Sequence, residues 1–338
     1  MTTLRKRSFR PQLEILEIRD TPSVTVGTNF NALYNTGYNP PDTNVAVGPN
    51  YVVETVNSRL AIFTKTGSLV LKEDLSALFT GFTSGDNGMY DPSVLYDDQA
   101  GRFVIEAQVY SNASRKAYVD IAVSNSSDPT QGFGEIHQIE VDEGGLYWSD
   151  NGKIGYNADA YVFTGNMYPF GSQGAYHEQV LTIAKSTVLD QNNSTLTTNQ
   201  VDLSGYVSLI PARMHGATTG GPMWLVMTYG SAASEVIVTR MDNVLSPSPT
   251  FRNYFVPVNP YDAPPSFPQP GGSVQIYDCR TLNVEWNNNQ LVSGFNSIVG
   301  TDAAAAWLEF NTSGPSPTVM SQGAIAGSRT HRGPFLPK

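Results

Sequence analysis

Residues 91–109 read Asp91-Pro-Ser-Val-Leu-Tyr-Asp-Asp-Gln-Ala-Gly-Arg-Phe-Val-Ile-Glu-Ala-Gln-Val109, and they decide the fold class. Two short runs rich in apolar and β-branched residues flank the turn Gln99-Ala-Gly101, which is the pattern of a β-hairpin. A helical period is almost absent, here and along the rest of the chain. The same strand–turn–strand pattern recurs on both sides of this stretch.

Five copies of the hairpin can be aligned, and their second strands are expected to begin near residues 51, 103, 161, 224 and 291. A third strand follows in each copy, and a fourth is visible in some, as in Glu135–Val141. Four antiparallel strands repeated radially are the plan of a β-propeller. The sequence therefore predicts an all-β propeller of four-stranded antiparallel blades, about five of them, over residues 24–326. Consecutive β-sandwich domains fit the spacing less well, and a single irregular sandwich stays open.

Two segments break the repeat. Residues 246–273 contain eight prolines and are expected to form a long surface connection between the fourth and fifth copies. Residues 165–178 are expected to form an exposed loop that holds His177 and Glu178. Trp148 is expected to pack between blades rather than to serve as a sugar platform.

The composition limits the range of partners. The chain has 338 residues, only 15% of them charged, and a net charge of −10. An acidic surface disfavours nucleic acid, which requires a basic one. The lone cysteine, Cys279, excludes an intrachain disulfide and a cysteine-rich zinc site. No apolar stretch is long enough for a transmembrane helix. The expected partner is a carbohydrate or an extracellular or cell-surface protein, the chain is expected to be a monomer, and Ca²⁺ is the only cofactor left open.

The N-terminal stretch Leu13-Glu-Ile-Leu-Glu-Ile-Arg-Asp-Thr-Pro-Ser23 lacks the apolar core of a standard signal peptide. It resembles the Leu-Glu-x-Leu-Glu-x-Arg-x-x-Pro-Ser leader of many exported planctomycete proteins. The resemblance implies an extracellular or cell-envelope location and leaves residues 1–23 outside the folded body. Residues 327–338 carry no strand signal and are expected to form an irregular tail.

Four further stretches resemble an uncharacterised family of secreted, propeller-like bacterial proteins. They are Pro41–Val53, Asp91–Phe103, Ala122–Thr130 and Lys153–Asp159. The resemblance implies the propeller fold and no established reaction. Val45 stands where the relatives usually have glycine, and the relatives continue beyond the equivalent of residue 328 into at least one more unit. That difference implies a C-terminal truncation, with a smaller ring of five blades as the alternative.

The residues that enter the innermost strand of each copy form the candidate site, because in a propeller they lie at one mouth of the central channel. They are Asp42, Asp91, Asp150, Arg213, His215, Asp278 and Arg280. Carboxylates in a ring can bind a divalent cation, and carboxylates that face Arg and His can do general acid–base work. The favoured interpretation is simpler: each aspartate caps its own turn or pairs with an arginine.

The nucleotide-binding, zinc-protease, nucleophile-elbow and sialidase-type motifs are all missing from the sequence. The leading hypothesis is therefore a non-catalytic extracellular binding module of unknown ligand. The first alternative is a polysaccharide-acting hydrolase or lyase with an Asp/Arg/His site at the channel mouth. The second alternative is a truncated fragment without independent function.

Overall fold

The repeated hairpins form four-stranded antiparallel units in a computed structural model of the chain. The structure describes residues 27–34, 36–82, 85–86, 88–171, 174–190, 195–264, 266–269, 272–274 and 278–326. The expected leader, residues 1–23, and the expected tail, residues 327–338, lie outside these described residues.

The first two units are separate sheets whose strands pair in sequence order. Unit 1 consists of β1 (Asn44–Val47), β2 (Tyr51–Val56), β3 (Arg59–Thr64) and β4 (Leu69–Asp74). The short helix α1 (Leu75–Leu78) follows β4. Unit 2 consists of β5 (Tyr90–Asp97), β6 (Arg102–Ser111), β7 (Lys116–Ser124) and β8 (Phe133–Glu140). A 3₁₀ turn over Pro129–Gln131 precedes β8.

Among the last three units, a short extra strand joins units 3 and 5. Unit 3 consists of β9 (Tyr147–Tyr156), β10 (Ala160–Pro169), β11 (His177–Ala184) and β12 (Thr198–Leu203), with helix α2 (Lys185–Val188) after β11. Unit 4 begins with β13 (Ile210–Pro211), and the extra strand β14 (Arg213–His215) follows directly. The unit continues with β15 (Met223–Met227), β16 (Ala233–Asp242) and β17 (Thr250–Tyr261). The hairpin β18 (Phe267–Gln269) and β19 (Gly272–Val274) precedes unit 5, which consists of β20 (Thr281–Asn287), β21 (Gln290–Val299), β22 (Asp302–Asn311) and β23 (Thr318–Ala326).

The predicted fold class is confirmed: the chain is a β-propeller of four-stranded antiparallel blades. The second strand of every unit begins within one residue of the predicted position. Strand β14 adds a feature that the repeat did not predict, because it lies parallel between β9 and β20. It thereby merges units 3 and 5 into one nine-stranded sheet.

The proline-rich segment 246–273 is not the simple connection that was predicted. Its first half contains β17, the fourth strand of unit 4, which pairs with β16 along its length. Pro257 and Pro260 are tolerated because β17 is the outermost strand in the order β13-β15-β16-β17, and an edge strand does not need every N–H for pairing.

The core lies between the units rather than inside any one of them. One apolar cluster lies between units 1 and 2, another between units 2 and 3, and the largest joins units 3, 4 and 5. Ile62, Ile105 and Ile121 are fully buried in the first two clusters, and each such side chain contributes about 1.5–3 kcal/mol. Sheet faces made of alternating Val, Ile and Phe can be buried only against the next sheet, so the units stack around a common axis.

The first strands of neighbouring units pack against one another around this axis. Gly155 in β9 shows how close they come, since a Cβ atom there would lie 2.5 Å from the carbonyl oxygen of Ala212. The Tyr156 N–H donates to that same oxygen at 3.0 Å. Among the described residues, no helix has the length and apolar character that crossing a bilayer demands.

Candidate active site at the channel mouth

Four units carry a residue in the left-handed backbone region within or just before their innermost strand. The φ angles are 45° at Asp42, 47° at Asp91, 53° at Asn151 and 56° at Ser208. Asp and Asn adopt this region more readily than other non-glycine residues, because their short side chains bond to nearby backbone groups. The recurrence identifies the equivalent position in each unit and thus the residues that surround one mouth of the channel.

Polar side chains link each unit to the next around this mouth. Asn57 donates from Nδ2 to the Asp42 carboxylate at 2.6 Å and accepts the Asp91 N–H at 2.8 Å. The Asp91 carboxylate accepts the Asn151 N–H at 2.7 Å, and Asn151 Nδ2 donates to Ser208 Oγ at 2.9 Å. Asp91 therefore caps the strand of the next unit, not its own turn as the favoured interpretation supposed.

Three carboxyl groups meet at the mouth. The Asp91 side chain is hydrogen-bonded to the carboxyl groups of both Asp42 and Asp150. Burial and then Asp91 raise the pKa of Asp42 to about 7. Burial and then the charge of Asp91 raise the pKa of Asp150 to about 6. Neighbouring carboxylates in a part-buried site cannot all ionise together, so this group retains protons close to neutral pH. We call these three residues the Asp triad.

Two cations lie beside the Asp triad, and both have other partners. Arg280 contacts the Asp278 carboxylate through Nε at 2.5 Å, and its Nη1 donates to Ser208 Oγ at 3.1 Å. Lys153 donates from Nζ to Oδ1 of the Asn151 side chain at 3.3 Å and to the Gly152 carbonyl oxygen at 2.9 Å. Lys153 lowers the pKa of Asp42, and Arg280 lowers that of Asp150, but burial outweighs both effects.

Glu178 is a fourth acid near the mouth. It lies in β11 and is only 1% exposed, and its carboxylate accepts the Ser208 N–H at 2.8 Å. Burial raises its pKa to about 8, although the backbone N–H groups of Ser208 and Leu209 oppose the shift. Because it is enclosed, Glu178 supports the Ser208 turn and does not face a substrate.

Glu106 lies behind Asp91 in the neighbouring strand β6. It is fully buried, and within the described part of the chain neither of its carboxylate oxygens has a hydrogen-bond partner. Burial raises its pKa well above the ordinary value, and the charge of Asp91 adds to the shift. The charge of Lys153 opposes this shift, but burial outweighs it, so the environment of Glu106 favours its neutral form.

An aromatic row borders the mouth in units 2 and 3. Trp148 stacks on Tyr110 at 4.6 Å and on Tyr168 at 5.3 Å between ring centroids, and Tyr176 continues the row at 5.1 Å from Tyr168. Trp148 thus packs between other rings, in line with the prediction for it.

Arg213 and His215 do not lie at this mouth, although the sequence placed them there. The left-handed residue of unit 4 is Ser208, and His215 follows it by seven residues, roughly 20 Å of extended chain. His215 contacts Glu285 at 3.0 Å and Asp98 at 3.2 Å at the opposite end of the channel. Arg213 lies between the two ends, where Nη2 donates to the Val94 carbonyl at 3.1 Å.

Five of the seven predicted residues thus lie together at the mouth, and Arg213 and His215 do not. The five are Asp42, Asp91, Asp150, Asp278 and Arg280. The predicted site residues did not include Lys153, Glu178 and Glu106, which lie beside or behind the Asp triad. A strand that begins at His177 would have indicated Glu178, because side chains alternate along a strand. Residues 177 and 179 then lie on one face, and residue 178 lies on the other.

No family model matches the chain. No curated protein matches it either. Several solved structures are similar in fold. A GH43 endo-arabinanase from Bacillus licheniformis is 12% identical with a TM-score of 0.39, over 82% of this chain and 96% of that one. An exo-β-1,3-galactanase from Clostridium thermocellum is 11% identical with a TM-score of 0.42, over 88% and 64% of the two chains. A subtype N11 neuraminidase-like protein of A/flat-faced bat/Peru/033/2010 is 10% identical with a TM-score of 0.40, over 82% and 75%.

The leading prediction of a non-catalytic binding module is wrong. The arabinanase and galactanase named above are glycoside hydrolases, the class of the first alternative. At this level of identity the similar structures show only the fold. The reaction of this chain has to be inferred from its own residues. Those residues include three neighbouring carboxyl groups at the channel mouth, and the pKa values of two of them, Asp42 and Asp150, are raised.

Proposed function

We propose that the chain is a glycoside hydrolase that cleaves a neutral polysaccharide at the channel mouth, with the Asp triad as its acid–base group. One observation carries the proposal: Asp91 is hydrogen-bonded to both Asp42 and Asp150, and the pKa values of those two acids are raised to about 7 and about 6. A site of this kind holds a proton donor and a carboxylate side by side near neutral pH.

Hydrolysis of a glycosidic bond needs one carboxyl group in its protonated form and another in its ionised form. A protonated carboxyl gives its proton to the leaving oxygen as the bond to the anomeric carbon breaks, and a carboxylate assists the attack on that carbon. Water finally adds its hydroxyl group to the carbon, and a carboxylate of the site takes up the proton that the water releases. Asp42 and Asp150 are each one hydrogen bond from Asp91, so their oxygens are at most about 8 Å apart. That bound includes the carboxyl separation of retaining enzymes, about 5–5.5 Å, and the lower part of the inverting range, about 6.5–9.5 Å.

The charges at the mouth favour a neutral substrate. The chain carries a net charge of −10, and the triad adds local negative charge. A lyase that acts on uronic acids would need a free cation for the substrate carboxylate, but Arg280 is already paired with Asp278. These two facts support hydrolase rather than lyase chemistry, and a polysaccharide substrate agrees with the export that residues 13–23 predict.

The test is the release of reducing ends from a panel of neutral polysaccharides by the full chain, with Asp91→Asn as the main variant. We expect Asp91→Asn to lower kcat/KM by about 10²–10⁴-fold, since it removes the group through which the other two acids share protons. Asp278→Asn is the matched control, because it changes an acid at the same mouth that is paired with Arg280.

We expect Asp278→Asn to retain activity within about tenfold. If the wild-type chain cleaves no member of the panel, or if Asp91→Asn cleaves as fast as the wild type, the triad is not an acid–base group and the proposal fails.

A further inference from the structure

Four polar side chains converge on the outer face of unit 3, away from the channel. Glu143 lies in the loop before β9, His177 and Gln179 lie on one face of β11, and Asp202 lies opposite Gln179 in β12. One ligand atom each of Glu143, His177 and Asp202 lie within 4.8 Å of one another. Glu178, between the two β11 residues, points to the other face.

The distances between these atoms match the edges of a small tetrahedron. His177 Nε2 is 2.7 Å from Glu143 Oε1 and 3.8 Å from Asp202 Oδ1. Gln179 Nε2 is 3.2 Å from Glu143 Oε1 and 3.3 Å from Asp202 Oδ1. A tetrahedral zinc ion with ligands at 2.0–2.1 Å needs ligand atoms about 3.3–3.4 Å apart. These four distances lie within about 0.7 Å of that value, and rotation of the Gln179 amide would put Oε1 in the place of Nε2.

The histidine is oriented as a metal ligand. Its Nδ1 lies 3.2 Å from the Ala175 carbonyl oxygen, which can only accept, so Nδ1 carries a hydrogen. In the neutral ring Nε2 then has a lone pair, and that lone pair faces the Glu143 carboxylate, which also can only accept. Either a second proton on the ring or a metal cation between the two atoms removes this conflict. A histidine that donates from one nitrogen to a backbone carbonyl and binds metal through the other is the common arrangement in zinc sites.

Gln179 supplies an independent observation. It is 1% exposed, and its Oε1 finds no hydrogen-bond partner within the described part of the chain. An unpartnered buried oxygen costs about 1–3 kcal/mol. Rotation of the amide by half a turn would direct that oxygen towards Glu143 and Asp202, which is favourable only if a cation lies among them.

We propose that Glu143, His177 and Asp202, with Gln179 as the fourth donor, form a zinc-binding site on the outer face of unit 3. An imidazole among oxygen donors suits zinc, whereas Ca²⁺ and Mg²⁺ prefer oxygen ligands alone. The Asp202 side chain is 51% exposed, so an ion can enter from solvent. The bound ion would tie β11 and β12 to the loop that leads into β9, the strand of Asp150, and would therefore be structural.

The test uses the full chain after treatment with a chelator, titrated with Zn²⁺ by calorimetry and with Co²⁺ by visible absorption. We expect one equivalent of Zn²⁺ to bind, the melting temperature to rise, and Co²⁺ to give the intense d–d bands of a tetrahedral site. Asp202→Asn is the main variant, because a half-exposed side chain can be changed without loss of the fold. We expect it to weaken Zn²⁺ binding by at least about tenfold.

His137→Asn is the matched control. His137 contacts Glu135 at 3.2 Å in β8, so it is also a histidine–carboxylate pair, but no third ligand joins it among the described residues. We expect this variant to bind Zn²⁺ as the wild type does. Absence of stoichiometric binding by the wild type would overturn the proposal, as would unchanged binding by Asp202→Asn or loss of binding in His137→Asn. None of these outcomes depends on whether the chain hydrolyses a polysaccharide.

Discussion

The two ends of the channel carry similar residue types in opposite arrangements. At the mouth, Asp42 and Asp150 face Asp91, so acid meets acid. At the opposite end, acid meets base. His215 lies between Asp98 and Glu285, and Lys185 contacts Asp97 at 2.5 Å.

The difference separates structure from function. Acids paired with bases stabilise the fold or at least cost it little. Acids that face one another destabilise it and persist where they do chemistry. We therefore expect substitutions at the opposite end to reduce stability and substitutions at the mouth to reduce activity.

The largest effect on stability is expected from Lys185→Met, which removes the cation beside Asp97. The side chains are 7% and 0% exposed, so the substitution leaves an uncompensated carboxylate in the core. We expect a loss of about 3–5 kcal/mol in the free energy of unfolding, measured by urea denaturation at pH 7. Asp150→Asn at the mouth is the comparison, and an equal loss there would break the distinction between the two ends.

The next effect is a dependence of stability on pH. Folding raises the pKa of several acids: Asp150 to about 6, Asp42 and Asp120 to about 7, and Glu178 to about 8. A raised pKa means that the folded chain holds the proton more tightly, so stability is lost as the pH rises above the ordinary carboxyl value. We expect the free energy of unfolding to fall by at least about 3 kcal/mol between pH 5 and pH 8, because four acids titrate in that interval and one pKa unit corresponds to about 1.4 kcal/mol. A rise over that interval in urea titrations would contradict these shifts.

A smaller change is expected from Asp42→Asn, and it has the opposite sign. The amide removes one of the facing carboxyl groups while keeping its shape. Because the mouth is partly open to solvent, screening limits the gain to about 1 kcal/mol at pH 8, and it should vanish at pH 5, where Asp42 is protonated. Denaturation at both pH values measures the gain, and hydrolysis should fall in the same variant. A gain in activity would show that the triad is not the reacting group.

The smallest change is expected from His215→Gln. Glu285 is the main cause of the raised pKa of His215, with Asp98 adding to it against the effect of burial. Its ion pairs therefore contribute below pH 6.5 and are lost as the pH rises through the raised value. We expect a cost below about 1 kcal/mol at pH 6, less at pH 9, and unchanged hydrolysis. Loss of hydrolysis would move the functional end of the channel to His215.

The sequence predicted the fold well because the repeat is local. Strand alternation and turn residues placed all five second strands to within one residue. The Asp triad could be predicted for the same reason. Aligned copies place Asp42 and Asp91 at equivalent positions, and Asp150 directly precedes Asn151, the equivalent residue of unit 3.

Unit 4 shows where this reasoning stops. Strand β15 begins fifteen positions after Ser208, whereas β2 begins nine positions after Asp42. The difference arises because β14 is inserted between Ser208 and β15. An alignment made backwards from the second strand therefore placed Arg213 where Ser208 belongs. Strand β14 pairs with two other units, and no local signal reports such long-range pairing.

Strand β14 also gives units 3 and 5 a link that the other units lack. Units 3 and 5 are joined by continuous backbone pairing through β14, whereas units 1, 2 and 4 are each a sheet of their own. Asp42, Asp91 and Asp150 belong to units 1, 2 and 3. The Asp triad therefore spans three sheets that share no strand pairing, so the separation of its carboxyl groups is set by side-chain packing and side-chain hydrogen bonds between units.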